Sequence, residues 1–116
     1  MSSGDTRALI AQAVERLGAE VPSLTRLKLV IRLELRSRGD APIWRVEVPG
    51  PKITKDVAAD ARIDVSVVRS HFNELAADGR LQNWVDAYEH GHVKVTGDSA
   101  VLKLLANVIE RQRARA

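Results

Sequence analysis

Two neighbouring stretches of alternating residues constrain the fold of this 116-residue chain more than any other feature. Residues 25–36 place leucine or isoleucine at every second position from 27 to 35, with mostly charged residues between them, and only Val30 breaks the pattern. Residues 43–48 (IWRVEV) alternate in the same way after turn material at 38–42. A period of two is typical of a strand with one buried and one wet face. The sequence therefore predicts an antiparallel hairpin.

The wet faces of both predicted strands are charged. Arg45 and Glu47 are expected to face Arg32 and Glu34 across the hairpin. Opposite charges that face each other across two strands attract, so the pattern predicts cross-strand ion pairs.

The order of the predicted elements indicates an α+β fold, because strands precede helices instead of alternating with them. Gly18 is the expected end of the first helix, which Ser3 or Asp5 can cap, and Ser66 and Asp98 are expected caps of later helices. In chain order the sequence predicts a helix over 5–18, strands over 25–36 and 43–48, short strands over 52–57 and 61–65, helices over 67–78 and 83–90, a strand over 92–96, and a helix from 99 to about 112.

The composition describes one folded domain and excludes several classes of site. We expect a single domain over 1–116, with flexible ends at 1–4 and 111–116. The chain has no cysteine, which rules out disulfides, zinc–thiolate sites and cysteine nucleophiles. No apolar run approaches the length of a membrane span, and the N-terminus lacks an export pattern, so we expect a cytoplasmic protein. Thirteen arginines against five lysines hint at a bacterial source.

No catalytic constellation is visible, so we expect neither an enzyme nor a cofactor. The chain has no glycine-rich phosphate loop and no Gly-x-Ser-x-Gly motif. His90 and His92 flank a glycine and have only His71 as a further imidazole, which predicts no metal site. The chain has a formal charge of +3, which comes from three arginines in its last six residues and is typical of a solvated helix end.

Residues 53–81 also resemble a winged helix-turn-helix, with a first helix over 56–63 and a recognition helix over 67–78. Charge argues against DNA binding, since DNA affinity depends on lysine and arginine that neutralise phosphates. Residues 52–98 contain six basic and eight acidic residues. A winged-helix DNA-binding protein is therefore the third alternative.

Another pattern covers residues 5–110. It includes Asp78-Gly79-Arg80-Leu81, Ala87-Tyr88 before Gly91, and above all the Gly-x-Val-x-Val-x-Gly-Asp sequence at 91–98, followed by a leucine-rich helix. These motifs, with the upstream helix and hairpin, resemble the sterol carrier protein type 2 (SCP2) domain family. The resemblance implies a five-stranded, mainly antiparallel sheet with helices packed on one face.

The resemblance also implies a function, which is to hold a lipid between sheet and helices without catalysis. We accordingly expect a small soluble lipid carrier whose ligand is a fatty acid, an acyl-CoA or a sterol-like molecule. By analogy with the family, the residues that line the site would be Phe72, Leu75, Leu81, Trp84, Tyr88, Leu102, Leu105 and Ile109.

The wide apolar side of the last helix and the scarcity of Phe and Met leave two functions open, a lipid carrier and a protein-interaction module. The apolar residues between 101 and 109 span roughly 160° of that helix, against about 100° for an ordinary surface helix. The chain has one Phe, and its single Met is the initiator. An empty lipid pocket of roughly 300 Å³ would cost on the order of 7 kcal/mol, so the core is either occupied or closed. A closed core would make the fold a protein-interaction module, which is the second alternative.

Overall fold

The computed structural model describes residues 3–48 and 50–115. These residues form a five-stranded sheet, four α-helices and a short 3₁₀ helix. The side chain of Ser3 and all of Pro49 lie outside that description, and with them the predicted cap at Ser3 and part of the turn before Pro51. The elements are α1 (Ser3–Glu20), the 3₁₀ helix (Pro22–Arg26), β1 (Leu29–Arg36), β2 (Ile43–Val48), β3 (Lys52–Lys55), β4 (Ile63–Val68), α2 (Arg69–Asp78), α3 (Leu81–Glu89), β5 (Val93–Gly97) and α4 (Ser99–Arg115).

The sheet is mixed and mostly antiparallel, with the strand order β3-β2-β1-β4-β5. β1 and β4 pair in parallel at the centre, and every other pair is antiparallel. The register places Leu33 of β1 between Trp44 of β2 and Val65 of β4. The predicted α+β class, the five strands and the hairpin are confirmed.

The helices cover the face of the sheet that carries the alternating apolar residues. α1 packs against α2 and β3, and α2 packs against β4 and β1. One contiguous core results, and its buried members are Ile10, Ala13, Leu33, Leu35, Trp44, Val46, Ile53, Val67, Phe72, Leu75, Ala76, Ala87 and Val93. The opposite face of the sheet carries the charged residues of the strands, as the alternation predicts.

The first strand begins later than predicted, because residues 22–26 coil into the 3₁₀ helix. Pro22 stands in its first turn, where its fixed φ suits a helix start. The Thr25 hydroxyl donates to the Pro22 carbonyl over 2.6 Å. Thr25 Cγ2 also lies 3.2 Å from where a Cβ on Gly18 would be, so the glycine lets the 3₁₀ helix pack closely against α1. Gly18 lies inside α1, which continues to Glu20. The prediction that Gly18 ends the helix was wrong.

The prediction that Ser66 caps a helix from 67 was also wrong. β4 continues to Val68 because it stays in register with β1, with Arg36 opposite Val68. The Ser66 hydroxyl instead donates to Glu34 Oε1 across the two strands, over 2.9 Å. Pairing with a central strand thus overrides a local cap signal.

The charged face of the sheet forms ion pairs other than those predicted. Arg45 lies opposite Arg32, a like charge, so it does not pair across the hairpin as expected. Its guanidinium binds Asp60 over 2.8 Å and Glu47 over 3.1 Å. Hydrogen bonds from Arg45 lower the pKa of Asp60, and both carboxylates raise the pKa of Arg45. Asp60 therefore ties the β3–β4 connection to β2.

Residues 56–63, which a winged helix-turn-helix would need as its first helix, contain a turn that leads into β4. Asp56 Oδ1 accepts the N–H of Ala58, whose φ is +53°. The winged-helix alternative is therefore contradicted by the fold.

Candidate functional site

The apolar face of the sheet is buried at one end and partly exposed at the other. At the first end, Leu35 and Val67 are fully buried and Val93 is 5% exposed. We call this the closed half, and it lies in the core with α1 and α2. Two residues further along β4 and β5, at Val65 and Val95, the side chains are partly exposed, whereas Leu33 on β1 stays buried at 6%. We call this second region the open half, and its partly exposed members are Leu29, Ile31, Val48, Val65 and Val95.

The register places members of the open half next to each other in pairs, with buried residues between the pairs. Leu29 lies opposite Val48, and Val65 lies opposite Val95. Ile31 shares its row with Ile63, which is 1% exposed. Five strand residues from four strands therefore present apolar side chains that the described residues cover only in part.

α3, α4 and the 3₁₀ helix border this open half. α3 and α4 lie against β5, and the 3₁₀ helix contacts both α1 and α4. The Leu81 N–H donates to Glu20 Oε1 over 2.8 Å, which joins the start of α3 to the end of α1. The elements around the open half are thus connected to each other, α3 to α1 by this hydrogen bond and α4 to α1 through the 3₁₀ helix.

Asp98 fixes the start of α4 as predicted. Its Oδ1 accepts the N–H groups of Ala100 and Val101 over 2.9 and 3.1 Å, and its Oδ2 lies 3.1 Å from the Arg62 guanidinium. These hydrogen bonds, that from Val101 foremost, lower the pKa of Asp98. Gly97 has a φ of +142°, and a Cβ there would lie 2.3 Å from the Arg62 carbonyl oxygen, so the turn into α4 requires glycine.

The apolar side of α4 is covered only in part. Val101 is 8% exposed and is the buried residue of this 17-residue helix. Leu104 is 45% exposed. The partly exposed residues between them and beyond are Leu102, Leu105, Val108 and Ile109. The predicted apolar arc therefore exists, but the protein body does not bury it.

A cleft of about 470 Å³ lies where the end of α4 meets the end of α1 and the start of α3. Its apolar lining is limited to Leu81 and Ala114, and its polar lining is Glu20, Gln82, Glu110, Gln112 and Arg113. A volume above roughly 300 Å³ suits a small-molecule site, but this lining suits a polar group. This mainly polar and charged lining does not suit an acyl chain.

A second cleft, of about 370 Å³, lies between α2, α3 and the start of β5. The rings of His71 and His92 stack there with centroids 4.5 Å apart, and His90 lies 6.4 Å from His92. Over the described residues, no group of three or more histidines and carboxylates is arranged to hold a metal ion. The three histidines lie close together, and their contacts are between stacked rings.

Solved structures with this architecture exist, although no family model and no curated protein matches the chain. The crystal structure of sterol carrier protein 2-like 2 from Aedes aegypti aligns with a TM-score of 0.61 at 20% identity, over 89% of this chain and 98% of that one. The palmitated form of SCP2L2 from Aedes aegypti gives 0.59 at 21%, over 84% and 91%. The apo form of sterol carrier protein 2 from Yarrowia lipolytica gives 0.59 at 15%, over 95% and 94%.

The chain has an SCP2-like fold. The resemblance drawn from the 91–98 motif is thereby confirmed at the level of architecture, since identities this low establish the fold alone. No helix among the described residues has the length and hydropathy needed to cross a membrane.

On this SCP2-like fold the predicted lining residues lie in four different surroundings. Phe72 and Leu75 belong to the core, and partly buried Trp84 packs against it, with the rings of Phe72 and Trp84 edge to face and their centroids 6.1 Å apart. Leu81 is buried beside the polar cleft, and Tyr88 is 55% exposed. The three residues from the last helix, Leu102, Leu105 and Ile109, lie on its partly exposed side. Their role in lipid binding stays a prediction.

Sequence reasoning missed the strand residues of the open half. The predicted strands over 61–65 and 92–96 contain Val65 and Val95, but nothing in the sequence marked these two as more exposed than Val93. The SCP2-like fold separates them, because α1 and α2 cover one end of the sheet. The wide apolar arc of the last helix was the one sequence signal for a second, less covered region.

Proposed function

We propose that this chain is a small cytoplasmic lipid-binding protein of the carrier type, without catalysis, that holds an acyl chain between the open half of the sheet and α4. The observation that carries the proposal is the pair of partly exposed apolar surfaces. Val65 and Val95 stand on one, and Leu105 and Ile109 on the other. A ligand that touches both would remove both from water.

The energetics favour an acyl chain as the occupant. Each methylene taken out of water contributes about 0.8 kcal/mol, so a long chain gains much even after the entropic cost of binding. A palmitated state of an SCP2-like protein from Aedes aegypti, which has this fold, agrees with the ligand class.

Two measurements test the proposal. Denaturing mass spectrometry of the purified protein should detect co-purified fatty acids or other acyl lipids. Displacement of a fluorescent fatty acid by palmitate should then give a saturable curve with one site per chain. A protein that neither retains lipid nor binds palmitate would contradict the proposal and leave the interaction-module alternative.

A matched pair on β5 tests the location. Val95→Thr puts a hydroxyl on the open half, and we expect palmitate to bind about fivefold more weakly because the hydroxyl loses water on binding. Lys94→Gln changes the neighbouring residue on the charged face and should leave palmitate binding unchanged. Equal affinities for both variants and the parent would contradict this location.

A further inference from the structure

One flank of α4 combines exposed apolar side chains with arginines. Leu104, Val108, Arg111 and Arg115 occupy positions i, i+4, i+7 and i+11, which lie along one line on an α-helix. Leu104 is 45% exposed, Val108 is partly exposed, and both arginines are exposed. We call these four residues the α4 flank.

Charge makes this helix unlike the rest of the chain. α4 contains four basic residues and one acidic residue, so its formal charge of +3 equals that of the whole chain. The remaining residues balance at fourteen basic and fourteen acidic. The positive field of the protein is therefore concentrated on this one element.

The carboxylate of α4 points away from the α4 flank. Glu110 lies about 120° around the helix from Leu104 and pairs with Arg113 over 3.1 Å. Within residues 3–48 and 50–115 the structure gives Arg111 and Arg115 no ion pair. The arginines of the flank are therefore available to an external anion.

We propose that the α4 flank docks the protein on anionic membrane surfaces. A helix with apolar residues and arginines on one side can lie in the bilayer interface, with the leucine and valine between lipid chains and the arginines at the headgroups. An anionic leaflet attracts basic residues near its surface, which accounts for the sign of the charge on α4. A second copy of the chain would repel this flank, because both copies carry the same charge there.

Docking of this flank would bring the open half, beneath α4, close to the bilayer. That consequence rests on the proposed lipid-binding function, whereas docking itself does not. Lipid could then pass between the membrane and the open half without crossing bulk water.

The experiment is flotation of the full chain with phosphatidylcholine vesicles, with and without about one-third phosphatidylserine. We expect flotation with the anionic vesicles, little with neutral ones, and a decrease as salt rises. Arg111→Gln with Arg115→Gln should weaken partitioning about 25-fold, at about fivefold per arginine. Leu104→Gln should weaken partitioning onto anionic vesicles about fivefold, which is the factor expected for each arginine.

A charge-matched control uses Arg38→Gln with Lys52→Gln, two exposed cations outside α4, and should leave flotation unchanged. Equal loss in this control would overturn the proposal, because net charge alone would then explain binding. Flotation of the parent on neither vesicle would also overturn it, as would sedimentation data in which the flank variants abolish a dimer. Palmitate displacement, run on the same variants, separates the two proposals: normal palmitate binding with lost flotation supports docking, and flotation without palmitate binding contradicts only the carrier function.

Discussion

The closed and open halves of the sheet share strands β1, β4 and β5 and the same kinds of residue, yet the helices cover them to different extents. Val67 is fully buried, whereas Val65, two residues earlier on β4, is partly exposed. The difference comes from the helices, since α2 packs on β4 and β1 while α4 contacts β5 and the 3₁₀ helix. One sheet thus has a fully covered end and an end whose apolar surface is partly exposed.

The two covering helices differ in the same way. α2 buries Phe72, Leu75 and Ala76 within ten residues. α4 is 17 residues long and buries Val101. A helix with so little burial depends on its capped start and on whatever covers its apolar side, so we expect it to respond to ligands more than α2 does.

Truncation of a leucine in each half should produce the largest difference. Leu35→Ala, in the closed half, should lower the free energy of unfolding by about 2–5 kcal/mol, because the buried core cannot refill the cavity. Leu29→Ala, in the open half, should lower it by on the order of 1 kcal/mol, because that side chain is already partly hydrated. Urea unfolding of both variants checks this, and equal losses would show that the halves do not differ.

A pair of valines on β4 sharpens the comparison. Val67→Thr places an unpaired hydroxyl in the closed half and should lower the free energy of unfolding by about 1–3 kcal/mol, with palmitate affinity unchanged. Val65→Thr should change stability little, because its hydroxyl can reach water, but should weaken palmitate binding about fivefold. Thermal unfolding and fluorescent fatty-acid displacement measure the two effects. Weaker palmitate binding by Val67→Thr alone would reverse the assignment of the halves.

The smallest effect concerns the start of α4. Because the folded-state pKa of Asp98 lies below its usual 3.8, its charge stabilises the fold above that pH, and this contribution is lost as the pH falls through the folded pKa. Asp98→Asn keeps a hydrogen-bond acceptor but loses the charge. Its unfolding temperature should lie a few degrees at most below that of the parent at neutral pH, and the gap should close in acid. A gap that persists unchanged at low pH would contradict the role of the charge.

Much of the architecture was predictable because its signals are local. The hairpin strand 43–48 has the predicted bounds, since alternation and turns fix it without reference to the rest of the chain. Asp98 was recognisable as a cap from its place before the last helix. The last helix continues to Arg115, beyond the predicted end near 112. The flexibility of 1–4 and 111–116 stays a prediction.

The failures have tertiary causes. Ser66 carries a cap signal, but pairing with Glu34 and β1 holds it in a strand. Leu27 continues the alternation of the first strand, but a 3₁₀ helix that begins at Pro22 comes just before it. The open half could not be predicted, because the sequence placed Val67 in a helix and only the packing of α2 and α4 makes Val65 more exposed than Val67.

The central claim is that the open half and α4 together receive the ligand, and methyl NMR tests it directly. In a protein with labelled Ile, Leu and Val methyl groups, palmitate should shift the signals of Val65, Val95, Leu105 and Ile109. The signals of Leu35 and Val67 should stay in place. Shifts confined to the closed half, or none in either half at saturating palmitate, would contradict the account.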